Sequence, residues 1–202
     1  TWRSISQFTT SSSDFETETG TLGLDYSWPL TEFQSVRMGF AAQRSDLFTD
    51  PNSSAAEALY WVQNNGNTYT EVQNVGIPPI ALTYSGTRFD TFEYSLGWSY
   101  DSRNRALFAD RGSRHRLSAS YALPFSDIDF VSFNYDYLQF IPVSKWFTLM
   151  FNSEAGYGQA LGDTTSMPPY RRFFAGGPET VRGYRESRMG PKDSFGNPYG
   201  GN

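Results

Sequence analysis

The sequence predicts an all-β chain that forms an antiparallel sheet of about seven strands, each with one apolar and one polar face, as in a transmembrane β-barrel. Apolar and polar residues alternate with a period of two in one segment after another, which is the signature of strands with two different faces. Aromatic residues make up 17% of the 202 residues, with 13 Tyr and 5 Trp, and membrane barrels concentrate such residues in girdles. The connections between the predicted strands alternate between short and long, as in transmembrane barrels, except that the turn after Leu123 is short although it falls on the outer side.

The first three predicted strands differ in how cleanly they alternate. Thr1–Thr9 is rich in strand-forming residues but alternates poorly, whereas Glu16–Trp28 and Ser35–Ser45 alternate cleanly on either side of a short turn. The apolar faces of these two are Leu22, Leu24, Tyr26 and Trp28, and Val36, Met38, Phe40 and Ala42. Four same-face residues span roughly 20 Å, which approaches the ~25 Å apolar band of a transmembrane barrel.

The segment 46–86 is too long and too polar for a tight hairpin, and we expect it to be an outer loop with a short helix. Ser54 and Glu57 have the spacing of a capping box at the start of a helix, and Asn65-Gly66 can end it. The helix would carry a small apolar stripe of Ala55, Ala58, Leu59 and Val62. We interpret this stripe as packing within the loop.

Four further strands are predicted before a long final loop at about 159–202. They are Arg88–Tyr100, Arg114–Leu123, Asp129–Phe140 and Trp146–Gly158. The polar faces of the strands carry Arg37, Gln43, Glu93, Arg116, Asp136 and Glu154. Such residues are too costly to bury unpaired in a dry core, so they should line a water-filled lumen or the outer face of a soluble sandwich. The strand pattern alone leaves both alternatives open.

Composition excludes several classes of function. The net charge is −5 and no basic patch is present, so nucleic-acid binding is not predicted. Cysteine is absent, which excludes disulfides and thiolate metal sites, and no His or carboxylate spacing predicts another metal or cofactor site. The mean hydropathy of −0.52 is that of a soluble protein, but a membrane barrel also averages out polar because its residues alternate.

The sequence predicts no catalytic residue, and we expect that the protein is not an enzyme. His115 is the only histidine, so a Ser–His pair would have to use it. It stands between Arg114 and Arg116 near the start of a strand, where a surface role is more common. Gly156-Tyr157-Gly158 does not open a helix and so lacks the context of a phosphate-binding loop.

The stretch from Arg171 to Lys192 is rich in glycine, proline and arginine and has neither helical nor strand periodicity. Glycines at this density permit positive φ angles and close backbone approach. We expect Phe174, Ala175, Gly176 and Gly177, and then Gly190, Pro191 and Lys192, to shape the loop. The candidate functional motif between them is Val181, Arg182, Gly183 and Tyr184. Arg182 can reach out of such a turn, and its guanidinium group suits docking against carboxylates.

This stretch resembles the signature loop of the BamA family, the outer-membrane β-barrel insertases. The likeness covers nearly the whole chain and includes Trp28-Pro29-Leu30 before one strand, Asp110-Arg111-Gly112 before another, and Pro168-Pro169-Tyr170 before the motif. The resemblance implies a fragment, 1–202, of one transmembrane β-barrel domain, with about seven strands of a sixteen-stranded barrel. It favours the barrel over the soluble sandwich.

The resemblance also implies a function in the bacterial outer membrane, the folding and insertion of β-barrel proteins without a cofactor. The implied partners are outer-membrane lipid, nascent β-barrel client proteins and assembly-complex lipoproteins. The motif would fold back into the lumen, where Arg182 docks on acidic residues of the wall beyond this loop. Asp136 and Glu154 are possible lumen partners within the chain. The alternatives are a two-partner secretion or TamA-type transporter and, with less support, a passive porin or receptor that would not need the Arg182 loop.

Overall fold

The computed structural model describes residues 15–49, 56–75, 80–178, 180–192, 196 and 198–201, and these confirm the all-β antiparallel architecture. The strands are β1 (Phe15–Pro29), β2 (Gln34–Thr49), β3 (Asn67–Val75), β4 (Ile80–Asp101), β5 (Gly112–Ala122), β6 (Phe130–Pro142) and β7 (Thr148–Ala160). A helix, α1 (Ala56–Asn64), lies between β2 and β3, and a 3₁₀ turn covers Pro169–Arg171. One sheet has the order β1-β2-β4-β5-β6-β7, with β3 paired to β4. Among the described residues this sheet is open, with β1 and β7 at its two edges.

One face of the sheet is apolar and exposed, as the alternation predicts. Leu22, Leu24 and Trp28 of β1 are 58%, 78% and 57% exposed. The register places their neighbours on β2 and β4 in the same rows, so that Tyr26, Met38 and Leu96 lie side by side. On β4 the outward apolar residues run from Phe92 to Tyr100, roughly 26 Å of strand at ~3.3 Å per residue. That length matches the lipid-facing band of a membrane barrel.

Both edges of this apolar band are marked by a change in side-chain chemistry. Toward the long loops, the outward face becomes charged, with ion pairs of 2.6 Å between Arg44 and Asp90 and between Arg88 and Asp46. Toward the short turns, it becomes aromatic. There His115 lies among the rings of Trp98, Tyr100, Tyr135 and Tyr137, and its Nδ1 shares a 2.9 Å hydrogen bond with the Tyr135 hydroxyl. This cluster has the composition and position of an interfacial aromatic girdle.

The turns after β1 and β6 are closed by the same local chemistry. After β1, Leu30 N–H donates to the Gln34 carbonyl (2.9 Å) and the Thr31 hydroxyl accepts from Gln34 N–H (3.1 Å). After β6, Val143 N–H donates to the Phe147 carbonyl (2.9 Å) and the Ser144 hydroxyl accepts from Phe147 N–H (3.2 Å). Ser and Thr hydroxyls favour such turns because they satisfy nearby backbone groups.

The outer end of β4 was only partly predicted. The sequence placed a loop at 46–86, but β2 continues to Thr49, β4 begins at Ile80, and β3 pairs with the outer end of β4. β3 and β5 share one edge of β4, and the turn after β5 fills the gap between them. There Leu123 N–H donates to the Phe92 carbonyl (2.8 Å), and Asp127 exchanges two hydrogen bonds with Asp90. The predicted strand at Thr1–Thr9 and the capping residue Ser54 lie outside the described residues.

The inner face of the sheet changes character along the strands, which corrects the expectation of a uniformly polar lumen face. The half of the inner face nearer the short turns, called the lower half, is polar and carries Arg37, Arg116, Asp136 and Glu154. At the outer end, the inner face is buried, and besides apolar residues it carries the buried hydroxyl groups of Ser45, Thr49, Thr87 and Thr91. A core forms there between the sheet, α1 and the final loop, and its buried members are Leu47, Trp61, Val62, Phe89, Ala122, Ile128, Phe130 and Met167.

In the part of the chain that the structure describes, no helix is long and apolar enough to cross a membrane. The nine residues of α1 instead pack against the strands, and Ala58 and Val62 of the predicted apolar stripe are buried. The stripe therefore serves packing, as interpreted from the sequence, but it packs against the sheet and the final loop and not only within its own loop.

Candidate functional site

The final loop folds back over the inner face of the sheet instead of extending away from it. Its first segment, 161–173, leaves β7 and lies across the inner faces of β7 and β4. Gly156 and Gly158 make room on β7: a Cβ at Gly156 would lie 2.5 Å from the Phe173 ring, and one at Gly158 would lie 2.7 Å from the Met167 methyl group. Because both glycines are on the inner face, they provide the space that the loop occupies.

Arg171 fastens this loop to the barrel wall. Its Nη2 donates to Glu93 Oε2 on β4 at 2.5 Å and to Gln43 Oε1 on β2 at 3.3 Å. The guanidinium group also stacks over Phe130, 5.4 Å from the ring centre. The Arg171 and Glu93 side chains are 31% and 12% exposed, so the ion pair is only partly screened by water. It joins residues 78 positions apart in the chain.

Arg172 holds the two limbs of the loop together. Its side chain is buried and donates to the Met167 carbonyl (3.0 Å), the Ser166 hydroxyl (2.9 Å) and the Tyr199 carbonyl (3.3 Å). Burial lowers the pKa of its guanidinium group from the ordinary value, and the nearby Glu57 carboxylate and Tyr199 oppose that shift. Next to it, Phe173 and Gly201 exchange two backbone hydrogen bonds of 3.0 and 2.8 Å. The base of the loop is therefore closed.

Backbone hydrogen bonds and isolated β-bridges hold the loop tip, residues 174–192 in their described part. Met189 N–H donates to the Ala175 carbonyl at 3.0 Å, and the Thr180 hydroxyl bonds both the N–H and the carbonyl of Gly176 at 2.9 Å. Gly177 and Val181 form a β-bridge, as do Lys192 and Pro198, and Tyr199 N–H donates to the Pro191 carbonyl at 3.2 Å. The described glycines of the final loop that have positive φ are Gly162, Gly176, Gly177, Gly183, Gly190, Gly196 and Gly200. The Phe174 ring packs beside Gly200.

Gly176→Ala should disrupt the tip more than Gly183→Ala does. Both glycines have positive φ, at 112° and 91°, and either substitution should cost about 1–3 kcal/mol in backbone strain. Only at Gly176 would the added Cβ also collide with backbone, the Arg185 carbonyl oxygen. We expect faster hydrogen exchange at Met189 N–H in Gly176→Ala than in Gly183→Ala. Equal rates in the two variants would show that the collision is relieved without cost.

The structure does not bring Arg182 to its candidate partners. Arg182, Gly183 and Tyr184 are exposed at the tip, and among the described residues Arg182 forms no ion pair. Asp136 and Glu154 face each other on β6 and β7, on the polar inner face. Asp136 lines an open cavity of about 360 Å³ together with Arg37 and Arg116. The docking of Arg182 on the wall thus stays a prediction, and the anchor seen here is Arg171.

Arg171, Glu93, Trp61 and Asn65 are the site residues that sequence reasoning missed. Glu93 was placed on the polar face, but nothing local pairs it with Arg171. Trp61 and Asn65 had a signal: Ala58, Trp61 and Val62 of α1 and Asn65, which directly follows it, have the i, i+3, i+4, i+7 spacing of one helix face. The described residues contain no cluster of His, Cys, Asp or Glu that could hold a metal ion.

Comparisons with known proteins agree with this architecture. A family model described as the Omp85 superfamily domain matches residues 2–202. The outer membrane protein assembly factor BamA of Neisseria meningitidis serogroup B is 31% identical over 198 residues, which are 96% of this chain and 23% of that protein. The chain thus spans about a quarter of this curated relative.

A solved structure shows the same fold. The crystal structure of BamA from Haemophilus ducreyi lacking POTRA domains 1–3 superposes with a TM-score of 0.78 at 20% identity, over 98% of this chain and 38% of that one. Together with the match over residues 2–202, the exposed apolar face and the folded-back loop lead to one conclusion. The chain belongs to the Omp85 superfamily and forms part of an outer-membrane β-barrel.

Proposed function

We propose that the protein is an assembly factor that folds and inserts β-barrel proteins into the bacterial outer membrane, and that this chain carries its signature loop. The observation that carries the proposal is the anchored loop. Arg171 fixes the base of the loop to Glu93 on the inner wall. The loop that carries the Val181–Tyr184 motif is therefore attached to the barrel wall at its base. The partners that we propose are outer-membrane lipid, nascent β-barrel clients and assembly lipoproteins.

The similarity to Neisseria BamA supports this proposal, as does the physical problem that insertion poses. A strand that enters lipid must not leave its backbone N–H and C=O groups unpaired, and unpaired strand edges recruit other strands. Presenting such edges requires no covalent chemistry. The role that we propose is therefore not enzymatic.

The packed core at the outer end of the lumen favours an assembly factor over a passive porin. Trp61, Phe130 and Met167 are fully or almost fully buried there, between α1, the wall and the loop. A channel for free diffusion keeps a polar, water-filled interior. A dry core that spans from the wall to the loop opposes conduction through this part of the lumen.

Arg182→Ala should lower the yield of outer-membrane β-barrel proteins in cells that rely on the variant of the complete protein. We expect Arg182 to dock on carboxylates of the wall, where losing charge-assisted hydrogen bonds costs about 1.5–3 kcal/mol. The docked loop population would then fall roughly tenfold to a hundredfold. The measurement is the amount of folded client barrels in the membrane at equal levels of the variant.

Arg185→Ala is the matched control for Arg182→Ala, because Arg185 is another exposed arginine of the loop tip outside the motif. We expect it to leave the client yield near that of the unaltered protein. An unchanged yield in Arg182→Ala contradicts the proposed role. Normal client yield with loss of export of a single secreted protein would instead support a two-partner secretion or TamA-type transporter.

A further inference from the structure

Helix α1 and the residue that follows it, Asn65, contact the base of the final loop through hydrogen bonds as well as through the apolar core. Trp61 Nε1 donates to the Ser166 carbonyl at 2.8 Å. Asn65 Nδ2 donates to the Thr165 hydroxyl at 2.7 Å, and Thr165 N–H donates back to Asn65 Oδ1 at 2.9 Å. We call these four residues the latch. Its two halves are about a hundred residues apart in the chain.

The latch specifies one register between the helix and the loop. Asn65 is 5% exposed, and its amide also donates to the Trp61 carbonyl at 2.9 Å. The Trp61 carbonyl satisfies one Nδ2–H whatever the loop does, but the Oδ1 atom and the second Nδ2–H have their partners only when Thr165 is opposite. A slip of the loop by one residue would leave the buried Oδ1 acceptor without its donor, which is costly.

The latch is connected to the arginines that close and anchor the loop. Ser166 accepts from Trp61 through its carbonyl and from Arg172 through its hydroxyl, at 2.9 Å. Arg172 reaches on to the Tyr199 carbonyl in the returning limb. Arg171, the next residue along the chain, holds Glu93 on the wall. Displacing residues 165 and 166 would thus disturb both arginine contacts.

We infer that Trp61 and Asn65 are positioning residues, which fix the base of the loop so that its motif-bearing tip is held in one place relative to the barrel wall. This inference rests on the proposed function, because the tip matters only if the loop acts in client insertion. The outer-loop helix would then be part of the insertion machinery, although it contains none of the motif.

The first test compares Asn65→Ala with Asn64→Ala in the complete protein. Asn64 is the neighbouring helix residue, is exposed, and bonds only within the helix, to the Tyr60 carbonyl at 2.7 Å. Spin labels on Lys145→Cys, in a short turn, and Arg188→Cys, in the tip, report the distance between wall and tip in phosphatidylethanolamine–phosphatidylglycerol vesicles. We expect a broadened distance distribution and a severalfold loss of client insertion for Asn65→Ala, with neither change for Asn64→Ala.

The second test restores the latch covalently, which keeps the inference falsifiable if Asn65→Ala folds poorly. This chain has no native cysteine, so Asn65→Cys with Thr165→Cys can be bridged by a short, reducible bis-methanethiosulfonate. We expect low client insertion before bridging, recovery after it, and renewed loss on reduction. Equal insertion in the bridged and unbridged forms overturns the inference.

The two readouts separate the failure of this inference from the failure of the proposed function. An unchanged distance distribution in Asn65→Ala shows that the latch does not position the tip, and the inference is then wrong. A broadened distribution with unchanged client insertion shows that the latch positions a tip that insertion does not use. That result contradicts the proposed function.

Discussion

Glu93→Ala should release the base of the final loop and lower the free energy of unfolding of the complete barrel by about 2–3 kcal/mol. Arg171 would keep its partly buried position over Phe130 but lose its carboxylate at 2.5 Å. The weaker hydrogen bond to Gln43, at 3.3 Å, would not replace the lost carboxylate. Leaving the Arg171 charge unpaired in a partly buried site destabilises the fold by more than the net stabilisation that the intact ion pair gives. Equilibrium unfolding by guanidinium chloride, with the barrel in detergent micelles, measures the change in the free energy of unfolding.

Two further variants show whether the charge or the whole pair matters. Glu93→Gln keeps an oxygen that can accept from Arg171, so it should lose less stability than Glu93→Ala. Adding Arg171→Met to Glu93→Ala removes the unpaired cation, so the double variant should be less destabilised than the sum of the two single variants. Strict additivity in this double-mutant cycle would show that Arg171 and Glu93 do not interact in the folded barrel.

The lipid-facing strands were predictable because their signal is local. The part of β1 from Leu22 to Trp28 alternates in the membrane-spanning region, where contact with lipid favours apolar residues on the outward face. β3 carries Thr68, Tyr69, Thr70 and Glu71 and pairs with the outer end of β4, beyond the apolar band. No lipid contact imposes an apolar face there, so its sequence shows no clear period. The strand could be found only from its pairing.

The candidate site was predictable as a segment but not as a set of contacts. Glycine, proline and arginine density marked the final loop, and a positive φ at Gly176 and Gly177 follows from that composition. The Arg171–Glu93 pair depends on how far the loop folds back across the wall. That distance is set by Gly156, Gly158 and the core, which bring together segments from distant parts of the chain. Local sequence does not encode such a juxtaposition.

Trp61→Ala should have the largest effect of the core substitutions, with a local loss of stability of about 3–5 kcal/mol. Trp61 is fully buried, and its ring meets Phe89 edge to face at 5.5 Å between centres. Removing it leaves a cavity between α1, β4 and the loop. Because only the outer core depends on it, we expect faster hydrogen exchange in α1 and in residues 161–172. The lower halves of β5 and β6 should keep their protection.

Trp61→Phe separates the packing role of Trp61 from its hydrogen bond. Phenylalanine keeps an aromatic ring against Phe89 but cannot donate to the Ser166 carbonyl, which Trp61 reaches at 2.8 Å. The loss should then be about 1–3 kcal/mol, with exchange faster near Ser166 but not throughout α1. If Trp61→Ala leaves the exchange of 161–172 unchanged, the helix does not support the loop. Trp61 belongs to both the core and the latch. That result would therefore contradict both as explanations of how the outer loop holds the signature loop over the lumen.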